Sequence, residues 1–207
     1  CIGVEDGTFS GKDLNNAFWS SILNRMFIGD YHGKSFSASL DVLGHEFTHG
    51  VVSKTADFAT IPKDKNKANE SAALNEAYAD IMGSLVEGQN WTIAESNEIV
   101  RNLENPESLE HPSVKGGDYY YPDAYLDGLT IEDYLKEKGY KTLFDYDRGG
   151  MHHNSTVVSH AAYLMYENGA FESREEMAKV WYQSLFLLSS YSNFEDCALA
   201  VIKSAQN

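Results

Sequence analysis

Cysteine is almost missing from this chain. Cys1 and Cys197 are the two among 207 residues. Neither has metal-type spacing to the other or to a histidine, which excludes a thiolate metal centre. Whether they pair stays open: a disulfide needs the two ends of the chain to meet, and a lone buried thiol at Cys197 is the other reading. Positive charge is scarce too. Lys and Arg total 16 against 31 Asp and Glu, a net charge of −15, which argues against nucleic acid and anionic membrane as partners. No apolar run approaches the roughly 20 residues that cross a bilayer. No basic segment followed by an apolar one opens the chain, so any signal peptide or propeptide is expected to have been removed or never to have been present; a secreted, mature or excised form is the expectation. Proline is rare, with three of four residues in 89–128. No repeat or low-complexity tract occurs.

What is present suffices for one sizeable domain. The chain is 43% hydrophobic and 13% aromatic, enough for a true core. Residues 1–12 are Gly-rich and read as irregular. The apolar spacing of Asn16–Trp19 and Leu23–Ile28 fits either a helix or two short strands. A helix is expected from Ser39 or Asp41 to about Thr55, with Leu40, Leu43, Phe47 and Val51 as its apolar stripe. A second is expected over 68–88, stopped by Gly88. Residues 89–128 read as largely irregular, with a short helical turn near 95–103. Thr130 caps a short helix through Lys138. Further helices are expected over 154–168, over 174–190 behind a Ser173/Glu176 capping box, and from Asn193 through Ser204.

The chemistry concentrates in Gly44-His45-Glu46-Phe47-Thr48-His49-Gly50. Two imidazoles four residues apart lie on one face of a helix and can reach one Zn²⁺. Glu46, one residue round the helix, reaches a water beside that ion instead. A hydrolytic zinc site needs a third ligand. Six residues past His49 stands Thr55, and the next histidine is His111, so a third histidine in the following turn is excluded. Asn75-Glu76-Ala77-Tyr78-Ala79-Asp80 offers a carboxylate instead. Glu76 and Asp80 share one helical face within an apolar helix, and buried acids need partners. Glu76 can ligate while Asp80 orients a ligand histidine through its other ring nitrogen.

Further segments in the same order carry a resemblance. Asn16-Ala17-Phe18-Trp19 is similar to an N-A-F-W edge strand. Arg101-Asn102-Leu103 with Asn105-Pro106 is similar to R-S-M-x-D-P. Asp147-Arg148-Gly149-Gly150-Met151-His152 is similar to D-x-G-G-V-H, continued by His153-Asn154-Ser155 and Ala161-Ala162-Tyr163-Leu164. Together with the two zinc-type segments they resemble the thermolysin-like gluzincin zinc metalloendopeptidases over about residues 13–206. The resemblance implies a mainly α fold with a small N-terminal β-hairpin, a zincin-type helical catalytic lobe with most of the family's N-terminal β lobe absent. Residues 1–207 would form a single catalytic domain: edge hairpin and loop over 1–38, helical zinc lobe over 39–207. It settles 16–28 as a hairpin.

The resemblance also implies roles. His45, His49 and Glu76 would bind zinc. Glu46 would be the general base toward a zinc-held water, and His152 would stabilise the oxyanion, oriented by Asp147. Asp80 would hold His45, and Asn75 would hold His49. Arg101 would bind a substrate carbonyl. Asn16 and the Ala17 backbone would pair with substrate as an added strand. Val42 and Val100, with Phe36, would line a pocket for the hydrophobic residue after the cut bond. The implied partner is a peptide or protein, acted on by a monomer. His153, His160 and His111 are read as structural, and Tyr119–Tyr121 as packing. A decayed protease fold used for binding is the competing reading, with a zinc hydrolase of non-peptide substrates behind it. Retention of Glu46 counts against the first, because zinc binding alone needs no base.

Two departures from the family pattern stand out. Residues 50–75 contain no Tyr, where the family carries one that assists the oxyanion. Either His152 works with less help, or a lysine of that loop, Lys63, Lys65 or Lys67, substitutes. The calcium ligands are also thinned. Asp41 and Glu87 match, while Asn90 and Thr92 stand where acids would be, ahead of Glu95. At most one Ca²⁺ is expected there, on Asp41, Glu87, Asn90 and Glu95.

Overall fold

A computed structural model describes residues 5–6, 12–65, 67–95, 100–109, 141–145 and 147–206. The Thr130 helix, His111, Tyr119–Tyr121 and Cys1 fall outside the described residues. The fold is mainly α, with four two-stranded antiparallel pairs: β1 (Glu5–Asp6) with β2 (Lys12–Asp13), β3 (Ala17–Ser20) with β4 (Arg25–Ile28), β5 (Asp30–Tyr31) with β6 (Lys34–Ser35), and β7 (Thr92–Ile93) with β8 (Arg101–Asn102). The expected hairpin is β3–β4, with Ala17 opposite Ile28 and Trp19 opposite Met26. The expected helical turn near 95–103 is corrected by β8: at 101–102 the chain is extended and paired with Thr92–Ile93, which lets Leu103 bury to 1% exposure.

Helix α1 (Leu40–Val52) and helix α2 (Glu70–Glu87) form the centre. Asn69 caps α2 by accepting the Ala72 N–H, and Gly88 ends it at φ 76°, where a residue without Cβ adopts the left-handed conformation unstrained. Leu74, Ala77, Tyr78 and Ile81 are wholly buried, so α2 is the core element. The two helices cross where both present glycine. A Cβ on Gly83 would sit 2.6 Å from the Asp41 carbonyl oxygen, and one on Gly44 would sit 3.0 Å from Gly83 Cα. That crossing brings the start of one helix beside the end of the other. Gly50 similarly admits the Trp19 ring, 2.8 Å from where a Cβ would stand, which seats β3 against α1.

Helix α3 (Asp147–Glu167) starts earlier than expected. Its opening residues are left-handed before a normal helix continues to Glu167. Helix α4 (Arg174–Ser184) is shorter than expected, because the chain tightens into a 3₁₀ turn over Leu185–Leu187. The expected capping box there is half present: Ser173 Oγ accepts the Glu176 N–H, but the Glu176 carboxylate reaches the Glu172 N–H. Helix α5 (Phe194–Ala205) carries the full box, between Asn193 and Asp196. Tyr78 ties α2 to these last helices, its hydroxyl 2.6 Å from Ser184 Oγ and its ring 5.3 Å from that of Trp181. Cys197 is a free buried thiol, 3.6 Å from the same hydroxyl. No helix among the described residues is long and apolar enough to cross a membrane.

Candidate active site

On α1, the four-residue spacing puts the His45 and His49 rings side by side, centroids 4.6 Å apart and planes perpendicular. Their outward nitrogens are spoken for. His45 Nδ1 lies 2.8 Å from Asp80 Oδ1, and His49 Nδ1 lies 2.9 Å from Asn75 Oδ1. Each oxygen accepts, so each Nδ1 carries the proton and each Nε2 presents a lone pair. The two Nε2 atoms face each other at 3.0 Å. Glu76 completes the group, its carboxylate oxygens 3.6 Å from His45 Nε2 and 3.7 Å from His49 Nε2. Two lone pairs and a carboxylate converging in a buried place repel one another unless a cation lies between them. Tetrahedral zinc with bonds of about 2.0–2.1 Å sets its ligand atoms about 3.3 Å apart. The three residues fit zinc by spacing and donor set, and their second atoms are already held.

Asp80 carries more of the scaffold than His45 alone. It is wholly buried and accepts two hydrogen bonds from Arg101, Nε to Oδ2 at 2.5 Å and a terminal nitrogen to Oδ1 at 2.7 Å. Burial alone would push its pKa up; Arg101 and His45 overcome that and hold it well below the usual carboxylate range. The structure therefore places Arg101 on Asp80, behind His45, while Arg101 also lines the cleft.

Glu46 is buried at the cleft wall. Burial lifts its pKa, and the neighbouring histidines only partly offset this, which makes it a stronger base than a solvated carboxylate. Across the cleft, His152 Nε2 approaches Glu76 Oε2 at 3.4 Å, while its Nδ1 meets Asp147 Oδ1 at 2.6 Å. The other Asp147 oxygen accepts the backbone N–H of His152 and of His153. Burial would lower the His152 pKa; Glu76 and Asp147 reverse it, and the net direction is up. The ring is held ready to donate.

The cleft has a volume of about 920 Å³ and also takes in Asn16, Ala17, Trp19, Phe36, Val42, Ile93 and Val100. Among the described residues β3 pairs with β4 alone. The Ala17 N–H is met by the side chain of Asn16 at 2.9 Å. The expected lysines do not line this space. Lys63 Nζ lies over the Tyr191 ring at 3.9 Å and Lys65 Nζ over the Phe144 ring at 5.2 Å, so each is drawn to an aromatic face instead. His153 is buried, and His160 Nδ1 donates to the Leu103 carbonyl at 2.7 Å. A second cluster joins Asp41, Glu87 and Glu95, ligand atoms within 4.8 Å of one another. Asn90 faces Glu95, Nδ2 to Oε1 at 2.6 Å. Burial and the neighbouring Glu95 and Asp41 push Glu87 up to about 7.

Residues 66–207 match the alpha-helical domain of the thermolysin metallopeptidases, and residues 3–53 match their catalytic domain. The chain belongs to the thermolysin metallopeptidase family. Among the family's members, bacillolysin of Bacillus caldolyticus is 32% identical over 94% of this chain and 34% of its own length. The gelatinase of Enterococcus faecalis is 31% identical over 93% of this chain and 34% of its own. The chain thus spans about a third of the length of these relatives. The solved precursor of protealysin, a metalloproteinase from Serratia proteamaculans, superposes with a TM-score of 0.65 at 25% identity, over 93% of this chain and 59% of that one.

The family's helical lobe was foreshadowed by the sequence; two features of the site were not. One is the Asp80–Arg101 pair, whose only signal was an apolar helix carrying an unexplained acid. The other is the left-handed opening of α3, announced only by Gly149-Gly150.

Proposed function

We propose that this chain is a zinc-dependent endopeptidase that cleaves peptide bonds within protein or peptide substrates. The observation that carries the reading is the convergence of His45, His49 and Glu76 with Glu46 on the same helix and an Asp147-held His152 within 3.4 Å of Glu76. His45, His49 and Glu76 would hold the ion, which, when bound, supplies Lewis acidity and lowers the pKa of water. Glu46 takes a proton from the attacking water and returns it to the leaving amine. His152 donates to the oxygen of the scissile carbonyl as charge develops there. Asp147 keeps that imidazole in place and protonated. Asp80 and Asn75 fix the ligand rings, and Arg101 fixes Asp80 while reaching the cleft, where a substrate carbonyl is its expected partner. Asn16 and the outer edge of β3 suit an extended peptide lying along the cleft as an added strand. Phe36, Val42, Ile93 and Val100 form an apolar wall suited to a hydrophobic residue after the cut bond. Asp41, Glu87 and Glu95 offer hard oxygens to one Ca²⁺, with Asn90 supporting Glu95.

Casein proteolysis tests the reading. Zinc-loaded protein should cleave, and Glu46→Gln should lose about 10²–10⁴-fold of the rate with zinc still bound. Zinc held without hydrolysis by the unaltered chain would leave a binding protein on this fold.

A further inference from the structure

The start of α3 winds the wrong way. Asp147, Arg148, Gly149 and Gly150 have φ of 47°, 50°, 93° and 75° in succession. The glycines accept this, and Gly149 must lack a Cβ because Asn69 stands 2.9 Å from where one would be. Asp147 has a reason to be there: its carboxylate holds the His152 ring and two backbone N–H groups. Among the described residues Arg148 has no such reason. At φ 50° and ψ 35° a side chain strains the backbone, and glycine would serve the turn better. Yet an exposed arginine stands in that place, lining the cleft beside Asp147 and His152. It makes no hydrogen bond or ion pair among the described residues, unlike Arg101, the other arginine of the cleft, which is committed to Asp80.

Strain kept at a cleft, with a free guanidinium as its product, points to a ligand for that guanidinium. We propose that Arg148 recognises a carboxylate on the bound peptide, an acidic side chain close to the scissile bond. The planar fork of arginine matches a carboxylate in two parallel hydrogen bonds. The surroundings give the preference a register. Asp57 and Asp145 also line the cleft, so an acidic residue meets repulsion near them and attraction at Arg148. The proposal rests on the peptidase reading for the nature of its ligand, and it adds charge selectivity to a cleft whose other wall is apolar.

The test is a set of internally quenched peptides, Glu against Gln at each position flanking the cut, on zinc-loaded protein. The wild type should favour Glu over Gln by about 5-fold in kcat/KM at one position, the scale of a partly exposed ion pair. Arg148→Gln should bring that ratio to about one, and Arg148→Lys should keep part of it. Arg148→Gly should lose the ratio while melting at or above the wild-type temperature, which separates recognition from misfolding. A ratio near one at every position, or one that survives Arg148→Gln, overturns the proposal. Fluorescence anisotropy with the same peptides covers the case of no cleavage. Tighter binding of a Glu peptide, lost in Arg148→Gln, would uphold Arg148 while the peptidase reading fell; equal binding would sink both.

Discussion

Two ligand clusters hang on the same antiparallel pair of helices, and they differ in what stands behind them. His45, His49 and Glu76 are backed by Asp80 and Asn75, with Arg101 behind Asp80. Asp41, Glu87 and Glu95 are backed by a loop: the Ala94 N–H on Asp41, and Asn90 and Thr92 on Glu95. One Asp41 oxygen and one Glu87 oxygen are buried with no hydrogen-bond partner at all. The first cluster is a pre-set mixed nitrogen–oxygen site in the helical core, suited to zinc. The second is an all-carboxylate site at the helix ends, whose charges repel until a hard cation arrives. Donor chemistry decides which ion each would take, and burial of the supporting residues decides how rigidly it waits.

The comparison breaks most sharply at Asp80→Asn. That change leaves the Arg101 guanidinium buried without its counter-charge, worth about 3–5 kcal/mol of stability, and weakens zinc binding about 10–100-fold. Thermal unfolding and competition with a zinc chelator would show both, with calcium binding unmoved. Gly83→Ala strikes the hinge that the clusters share. Its Cβ would collide with the Asp41 carbonyl at 2.6 Å, with the His45 nitrogen 3.3 Å away. The helices must part, at about 1–3 kcal/mol, and both ions should bind more weakly in the same titration. Glu95→Gln sharpens the contrast from the other side. Stabilisation by Ca²⁺, about 2.7 kcal/mol at a hundredfold excess over Kd, should vanish from the melting curve while zinc content stays unchanged. Cys197 marks the smallest effect. Burial raises its thiol to about 11, above its unfolded value near 8.5, so at pH 8 a Cys1→Ser chain should react with a thiol reagent far more slowly folded than denatured.

Much of this was legible in the sequence wherever one residue type at a fixed helical spacing carries the chemistry. His45, Glu46 and His49 declare themselves, and Glu76 with Asp80 does so once an apolar helix is seen to carry two acids. The helices of the core follow from periodicity and caps. Elements fixed by long-range pairing were hidden. Two-residue strands such as β7 and β8 are too short to show alternation, so a helical turn was expected near 95–103. The Asp80–Arg101 pair spans 21 positions with no periodic signal. Lys63 and Lys65 were plausible cations for the cleft until the positions of Tyr191 and Phe144 were known, and aromatic rings distant in sequence decided where they went.

The most direct measurement joins metal analysis to proteolysis in one sample, comparing the unaltered chain with Glu46→Gln. Both should hold one zinc per chain, and the first alone should cleave casein. Equal zinc with no cleavage by either would contradict the account, because the ligands would then be a binding site and Glu46 no base.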